Sequence, residues 1–293
     1  MTVRDVRGDA GIDVAADLAP SNAPGTRARL SGWRRWALGL AVPAMLVVVW
    51  SLASSSGQLS ARLLPPPGDV ARSARDFFIG DKQPDIPGVT PFAGAAGVHL
   101  AASVRRWAVA YAIAVAVGLP LGLGLGLSPW VSASVDPLFQ GLRSVPVTAW
   151  LPIALVWFGL GEGAARFLVF VGAVAPIVIA TADAVARVPR ALVDTARMLG
   201  TPRRALARRV YLPGALPGIV TGLRLGLTLG WMSLIVGELT GTDRGLGAMM
   251  FAAREVGRLD EIIVGMIAFA VIGLAGDLLL RAVARPFVRW ADA

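Results

Sequence analysis

Six apolar segments, at residues 37–53, 104–127, 146–160, 167–185, 219–239 and 262–280, limit what this chain can become. A helix crossing the hydrocarbon core of a bilayer needs about 20 mostly apolar residues, and these segments approach that length. The remaining sequence does not dilute them. Soluble domains carry about 25% charged residues; here the charged fraction is 16% and the hydrophobic fraction 55%. The expectation is an all-α integral membrane protein with six transmembrane helices.

An even number of crossings puts both ends on one side, and arginine decides which. Cytoplasmic loops are enriched in Lys and Arg. Arg4, Arg7, Arg27, Arg29, Arg34 and Arg35 precede the first segment, and Arg281, Arg285 and Arg289 follow the last. Between the fourth and fifth lie Arg187, Arg190, Arg197, Arg203, Arg204, Arg208 and Arg209. The other side holds Arg62, Arg72, Arg75, Lys82, Arg244, Arg254 and Arg258 over longer stretches. Both termini and the 187–218 loop therefore read as cytoplasmic. The net charge of +9 is an orientation signal in such a chain rather than a sign of nucleic acid. With no cysteine and His99 as the lone histidine, thiolate chemistry is excluded and no metal-ligand spacing appears.

The organisation follows. Residues 1–36, with Asp5, Asp9, Asp13 and Asp17, read as a disordered cytoplasmic tail. The apolar run begins too late for a signal peptide, so the first span is read as uncleaved. Residues 37–103 hold that span and an extracytoplasmic segment, 104–285 a core, and 286–293 a cytoplasmic C-terminus. Residues 54–97 are proline-rich, and Val70, Ala74, Phe77 and Phe78 predict a short amphipathic helix over 70–78.

Within the spans, Gly118 and Gly122 form a GxxxG pair, which serves close helix approach in a membrane or plain internal packing. Arg143, Trp150, Trp157, Arg224, Trp231 and Glu238 are candidates for lining a translocation path. An intramembrane charge is costly and marks function by default. Arginines at span ends also snorkel to the interface, and tryptophans anchor there, so both readings stand. Arg224 and Glu238 are about 21 Å apart along one helix and cannot pair with each other. Pro146, Pro152 and Pro176 would kink their helices, for gating or for packing.

The densest charge lies in "DTARMLGTPRRALARRVYLPGALPG". Residues 189–199 predict a short helix with Leu192, Ala196 and Leu199 on one face. Gly200 suits the left-handed position that ends it, Thr201 an N-cap, and Pro202 the first turn of a second helix. That helix is expected to run through Arg209 and stop at Leu212-Pro213. Two capped helices make a rigid elbow between spans, or a hairpin whose arginines rest on anionic lipid.

This stretch resembles the signature of permease subunits of binding-protein-dependent ATP-binding-cassette importers: Glu-Ala-Ala, a few residues, Gly, nine residues, Ile-x-Leu-Pro. Here Asp194, Thr195 and Ala196 stand for Glu-Ala-Ala, Gly200 is the glycine, and Val210-Tyr211-Leu212-Pro213 completes the pattern. The segments "LPPPGDV", "RSVPVTAWLPIALVWFGLGE", "GLRLGLTLGWMSLIVGEL" and "GLGAMMFAAREV" resemble the subgroup importing sulfonates, taurine and nitrate, with relatives for pyrimidine and vitamin precursors. The resemblance implies a type I importer-like permease fold in a bacterial inner membrane, multi-pass and without cofactor. It implies that Asp194, Thr195, Ala196, Gly200, Thr201, Pro202, Leu212 and Pro213 dock on a separate ATPase subunit. It further implies a second permease subunit, expected as a homodimer, and an extracytoplasmic solute-binding protein on residues 54–97 and 243–260. The chain has no phosphate-binding Gly-x-x-x-x-Gly-Lys-Ser/Thr, so hydrolysis is expected elsewhere. The rival is an ATPase-independent secondary transporter, which would place acids or broken helices at mid-bilayer. A membrane enzyme lacks any nucleophile, base or metal constellation.

Overall fold

The computed structural model describes residues 32–56, 60, 63–80 and 92–288, and all regular structure among them is helical. Chain contacts divide it into residues 1–49 and 50–293. The expected tail falls outside the described residues, except that 32–36 already belong to helix α1, Gly32–Ser55.

Helix α2 (Pro67–Ile79) starts on the Pro-Pro-Pro-Gly run, with proline in its first turn where the missing N–H costs nothing. Its buried face is Val70, Ser73 and Phe77, while Phe78 is exposed and so does not join the predicted stripe. Helices α3 (Ala96–Leu127), α4 (Pro129–Ser144), α5 (Leu151–Phe158) and α6 (Glu162–Ala186) follow. After the elbow come α9 (Leu212–Glu238), α10 (Leu246–Glu255) and α11 (Leu259–Val288).

Among the described residues, four helices are long and apolar enough to cross a membrane: Ala96–Leu127, Glu162–Ala186, Arg203–Glu238 and Leu259–Phe287. The span expected at 146–160 is corrected. Its helical part, Val147–Phe158, consists of a 3-10 turn and α5, and at about 1.5 Å per residue it falls well short of a bilayer. Pro146 cannot continue the preceding helix and Gly159, at φ 70°, ends this one. Helix α4, which precedes it, was not foreseen.

Glycine builds the centre. On α9, Gly218, Gly222, Gly226 and Gly230 recur every fourth residue and face α6. A Cβ at Gly218 would come within 2.4 Å of the Ala184 Cβ, and one at Gly222 within 2.6 Å of the Ala180 Cβ. On α3, Gly118, Gly122 and Gly126 do the same toward Ile177, Thr181 and Val185 of α6. Lipid offers apolar side chains no less than a neighbouring helix does, so association rests on close packing, and small residues permit it. The Gly118/Gly122 pair thus serves internal packing. Helix α6 lies between two glycine-lined helices.

A tryptophan and an ion pair join α11 to this centre. Trp231 is buried, stacks on Phe269 at a ring separation of 4.5 Å and donates to the Phe269 carbonyl at 3.0 Å. Arg224 Nε bonds Asp277 Oδ1 at 2.8 Å, and Arg281 bonds the other carboxylate oxygen at 2.7 Å.

Candidate functional site

The elbow is built much as its residues require. Helix α7 (Arg190–Met198) is followed by Leu199 and then Gly200 at φ +74°. The Thr201 N–H reaches the Ala196 carbonyl at 3.1 Å and the Gly200 N–H the Arg197 carbonyl at 2.9 Å. These are the paired bonds of a Schellman cap, which fix the turn after a helix. Val193 and Leu206 are buried with Val185, Val188, Ala215 and Ile219, so the elbow is anchored onto α6 and α9. Its outer surface carries Met198 and Leu199, 88% and 81% exposed, beside Asp194, Arg197, Arg203 and Arg204. Leu192 and Leu199 face outward, whereas Val193, which sequence spacing passed over, holds the elbow to the bundle.

Two details correct the sequence reading. The N-cap of α8 (Arg203–Leu206) is Pro202, with no side-chain cap bond, so Thr201 lies one position too early. Nor does the helix stop at Leu212-Pro213. It widens into a π-helical segment, Ala207–Tyr211, and runs on as α9. Pro213 has no N–H, and its ring would collide with the carbonyl four residues back; π-geometry moves that carbonyl aside. The result is one apolar helical run of 36 residues, Arg203–Glu238.

An open groove of about 980 Å³ lies between α4, α5, α6 and α9, with two residues of α3 on its rim. Trp150, Trp157, Phe139, Phe167 and Phe170 line it, with Thr221, Leu225 and Leu229 of α9. Trp157 and Phe167 meet edge-on at 5.7 Å. Among the described lining residues only Asp183 and Arg187 are charged, and they pair at 3.3 Å beside the elbow. From Phe167 to Arg187 the groove follows α6 for about 30 Å, one bilayer thickness.

Of the six path candidates, Trp150 and Trp157 line this groove. Arg143 sits on α4, and its side chain lies outside the described residues. Arg224, Trp231 and Glu238 are elsewhere: Arg224 pairs with Asp277, Trp231 packs on α11, and Glu238 is enclosed in a polar cluster.

That cluster was invisible in the sequence. At the end of the bundle opposite the elbow, Glu238 accepts from Arg106 Nη1 and from Ser103 Oγ at 2.7 Å, both on α3. The Gly247 N–H of α10 adds a third donor at 2.8 Å. Arg106, 1% exposed, also reaches Glu162 at 2.5 Å and the Arg244 carbonyl at 2.9 Å. His99 Nδ1 lies 3.2 Å from the Gly245 N–H. Nearby, Arg258 holds Asp260 at 2.8 Å, and that hydrogen bond raises the Arg258 pKa above the ordinary guanidinium value.

Comparison with known proteins decides the family. Residues 115–291, more than half of the chain, match the binding-protein-dependent transport system inner membrane component. The chain belongs to that family. A relative in Escherichia coli K12 named for aliphatic sulfonates transport is 37% identical, over 89% of this permease and 95% of its own length. The taurine transport system permease protein of the same organism is 36% identical, over 88% and 90%. The nitrate import permease protein of Leptolyngbya laminosa is 32% identical, over 82% and 83%. In structure the permease is similar to an inward-facing methionine ABC transporter chain, with TM-score 0.50 and 25% identity, over 62% of this chain and 92% of that one. The permease therefore sits in the sulfonate, taurine and nitrate subgroup of inner-membrane ABC permeases, with a type I importer-like fold.

Proposed function

We propose that this chain is the permease subunit of an ATP-driven importer in a bacterial inner membrane, moving a small anion of the sulfonate, taurine or nitrate class into the cytoplasm. The elbow carries the reading. Its Schellman turn at Gly200 and outward Met198 and Leu199 present a fixed apolar knob, rimmed by charge, for a separate ATPase subunit. A lipid-lying hairpin would instead turn a continuous apolar face to the bilayer. Both termini and the elbow are cytoplasmic, and six crossings are completed by α1 and by the broken pair α4 and α5.

The groove is the translocation path. It is open along one side, and a second permease copy closes it. A binding protein delivers solute at the opposite end, on α2 and α10. Either anion's charge has few partners in this lining, but the apolar, aromatic surface suits the apolar body of an organosulfonate, which nitrate lacks. The alternative cargo is a pyrimidine or vitamin precursor, and an ATPase-independent transporter is the remaining rival.

Gly200 tests the reading directly. A Cβ there meets nothing within 4 Å, so a substitution acts through the backbone alone. Gly200→Val forces a β-branched residue into a left-handed conformation, at about 1–3 kcal/mol, and unseats the turn. The variant is expected to reach the membrane normally, yet to lose at least about 90% of ATP-driven uptake and most ATPase co-purification. Normal uptake by this variant would refute the elbow as the ATPase contact.

A further inference from the structure

Elements far apart in the chain meet at one carboxylate. Glu238 closes α9, and its side chain has no solvent exposure. Through Ser103 and Arg106 it is tied to α3, and through the Gly247 N–H to the first turn of α10. The first N–H groups of a helix have no partner within it, and negative charge is favoured there. Glu238 supplies both needs, so α10 hangs from the last residue of α9.

The joint has further fastenings. The Leu246 N–H, next in that first turn, donates to Ser103 Oγ at 2.8 Å. Arg106 holds the Arg244 carbonyl, which pins the connection between α9 and α10. Gly245 and Gly247 are shaped around the carboxylate. A Cβ at Gly245 would lie 2.5 Å from Glu238 Oε1, and one at Gly247 2.6 Å from the Glu238 Cβ. Gly245 also holds φ at +144°, which side chains rarely adopt. At its other end the same helical run enters the elbow without a break, from Glu238 back to Arg203.

We propose, resting on the importer reading above, that Glu238 is a positioning residue for transport coupling. It makes α10 and the elbow two ends of one lever, so that an extracytoplasmic protein engaging α10 acts on the ATPase contact about 50 Å away. A flexible α9–α10 loop would absorb that displacement. A bonded joint passes it into α9, and the glycine ladder carries α6 along with it.

The test uses the complete transporter in nanodiscs: permease, ATPase subunits and solute-binding protein. The binding protein is loaded with whichever of an alkanesulfonate, taurine or nitrate stimulates the wild-type complex most. Glu238→Gln leaves Arg106 paired with Glu162, so no buried charge is stranded, while the charged acceptor shared by Arg106, Ser103 and the Gly247 N–H becomes a neutral amide with a single oxygen. Assembly, basal ATPase and binding-protein affinity for the nucleotide-free complex should stay within about twofold of wild type. Stimulation of ATPase by the binding protein should fall about tenfold, the size of an ordinary coupling energy. Unchanged stimulation, or an equal fall in basal activity and affinity, overturns the proposal. Should Glu238→Gln fail to assemble, Ser103→Ala decides. It frees the Leu246 N–H while leaving the Arg106–Glu238 pair, and should cut stimulation about threefold at unchanged basal rate; no change there overturns the proposal. A wild-type complex without any stimulation overturns the importer reading itself, a result distinct from either variant's.

Discussion

Arg106→Ala is expected to destabilise the protein by about 3–5 kcal/mol, because it leaves the Glu238 carboxylate buried without its cation. The loss falls at several bonds together. Among the described residues Glu162 retains only Arg166, at 2.6 Å, and the Arg244 carbonyl loses the Arg106 donor. The measurement is thermal unfolding of the detergent-purified permease, where the variant should show a lower midpoint and a poorer yield. A double variant, Arg106→Met with Glu238→Leu, removes both charges and should recover most of that loss, since a buried pair contributes little net stability over apolar residues of similar volume. If the single variant unfolds like wild type, the cluster is not buried as described.

Gly222→Leu should be more disruptive still. At the centre of the ladder, the first added carbon already lies 2.6 Å from the Ala180 Cβ and 3.4 Å from the Pro176 carbonyl oxygen, before the rest of the side chain is placed. Ala180 has no rotamer by which to yield, so α9 must separate from α6. Overpacking by single methylenes costs about 1–3 kcal/mol, and a leucine adds four carbons. Folded protein should fall below detection in membranes by size-exclusion profile. Gly141→Leu, on α4 where a Cβ meets nothing within 4 Å, is the matched control and should accumulate normally. Equal accumulation of both variants would contradict the close packing of α6 and α9.

These two sites also mark how far the sequence could be read. The long spans were legible because apolar composition and length are set by the bilayer rather than by tertiary detail. The Gly200 turn was legible because a left-handed helix end has its own residue chemistry. The four-residue spacing of Gly218, Gly222, Gly226 and Gly230 is as visible in the sequence as the Gly118/Gly122 pair, yet glycine is common in membrane helices, and only the neighbouring α6 gives the spacing meaning.

Other features needed the fold. Arg106 lies beside Arg105 at the start of an apolar run, where arginine ordinarily marks an interface, and its partner Glu238 is 132 positions away. Nothing local joins them. Pro213 read as a helix stop because local rules count a missing N–H and a ring clash; the π-helical segment removes the clash while keeping the helix. The 146–160 span failed for a related reason. Hydropathy counted apolar residues but could not see that Pro146 and Gly159 leave only a short helical piece between them. Arg224 and Glu238 were drawn as path residues from their charge, and in the fold each is neutralised by a partner on another helix.

In the proposed mechanism this permease moves solute only when a separate ATPase acts on the elbow. Uptake of radiolabelled taurine or an alkanesulfonate into proteoliposomes tests it most directly, comparing permease alone, permease with ATPase subunits, and both with binding protein, each with and without internal ATP. Accumulation is expected only in the complete system with ATP, and is expected to be lost when Gly200→Val replaces the wild type. Accumulation by the permease alone, driven by an ion gradient and indifferent to ATP, would contradict it.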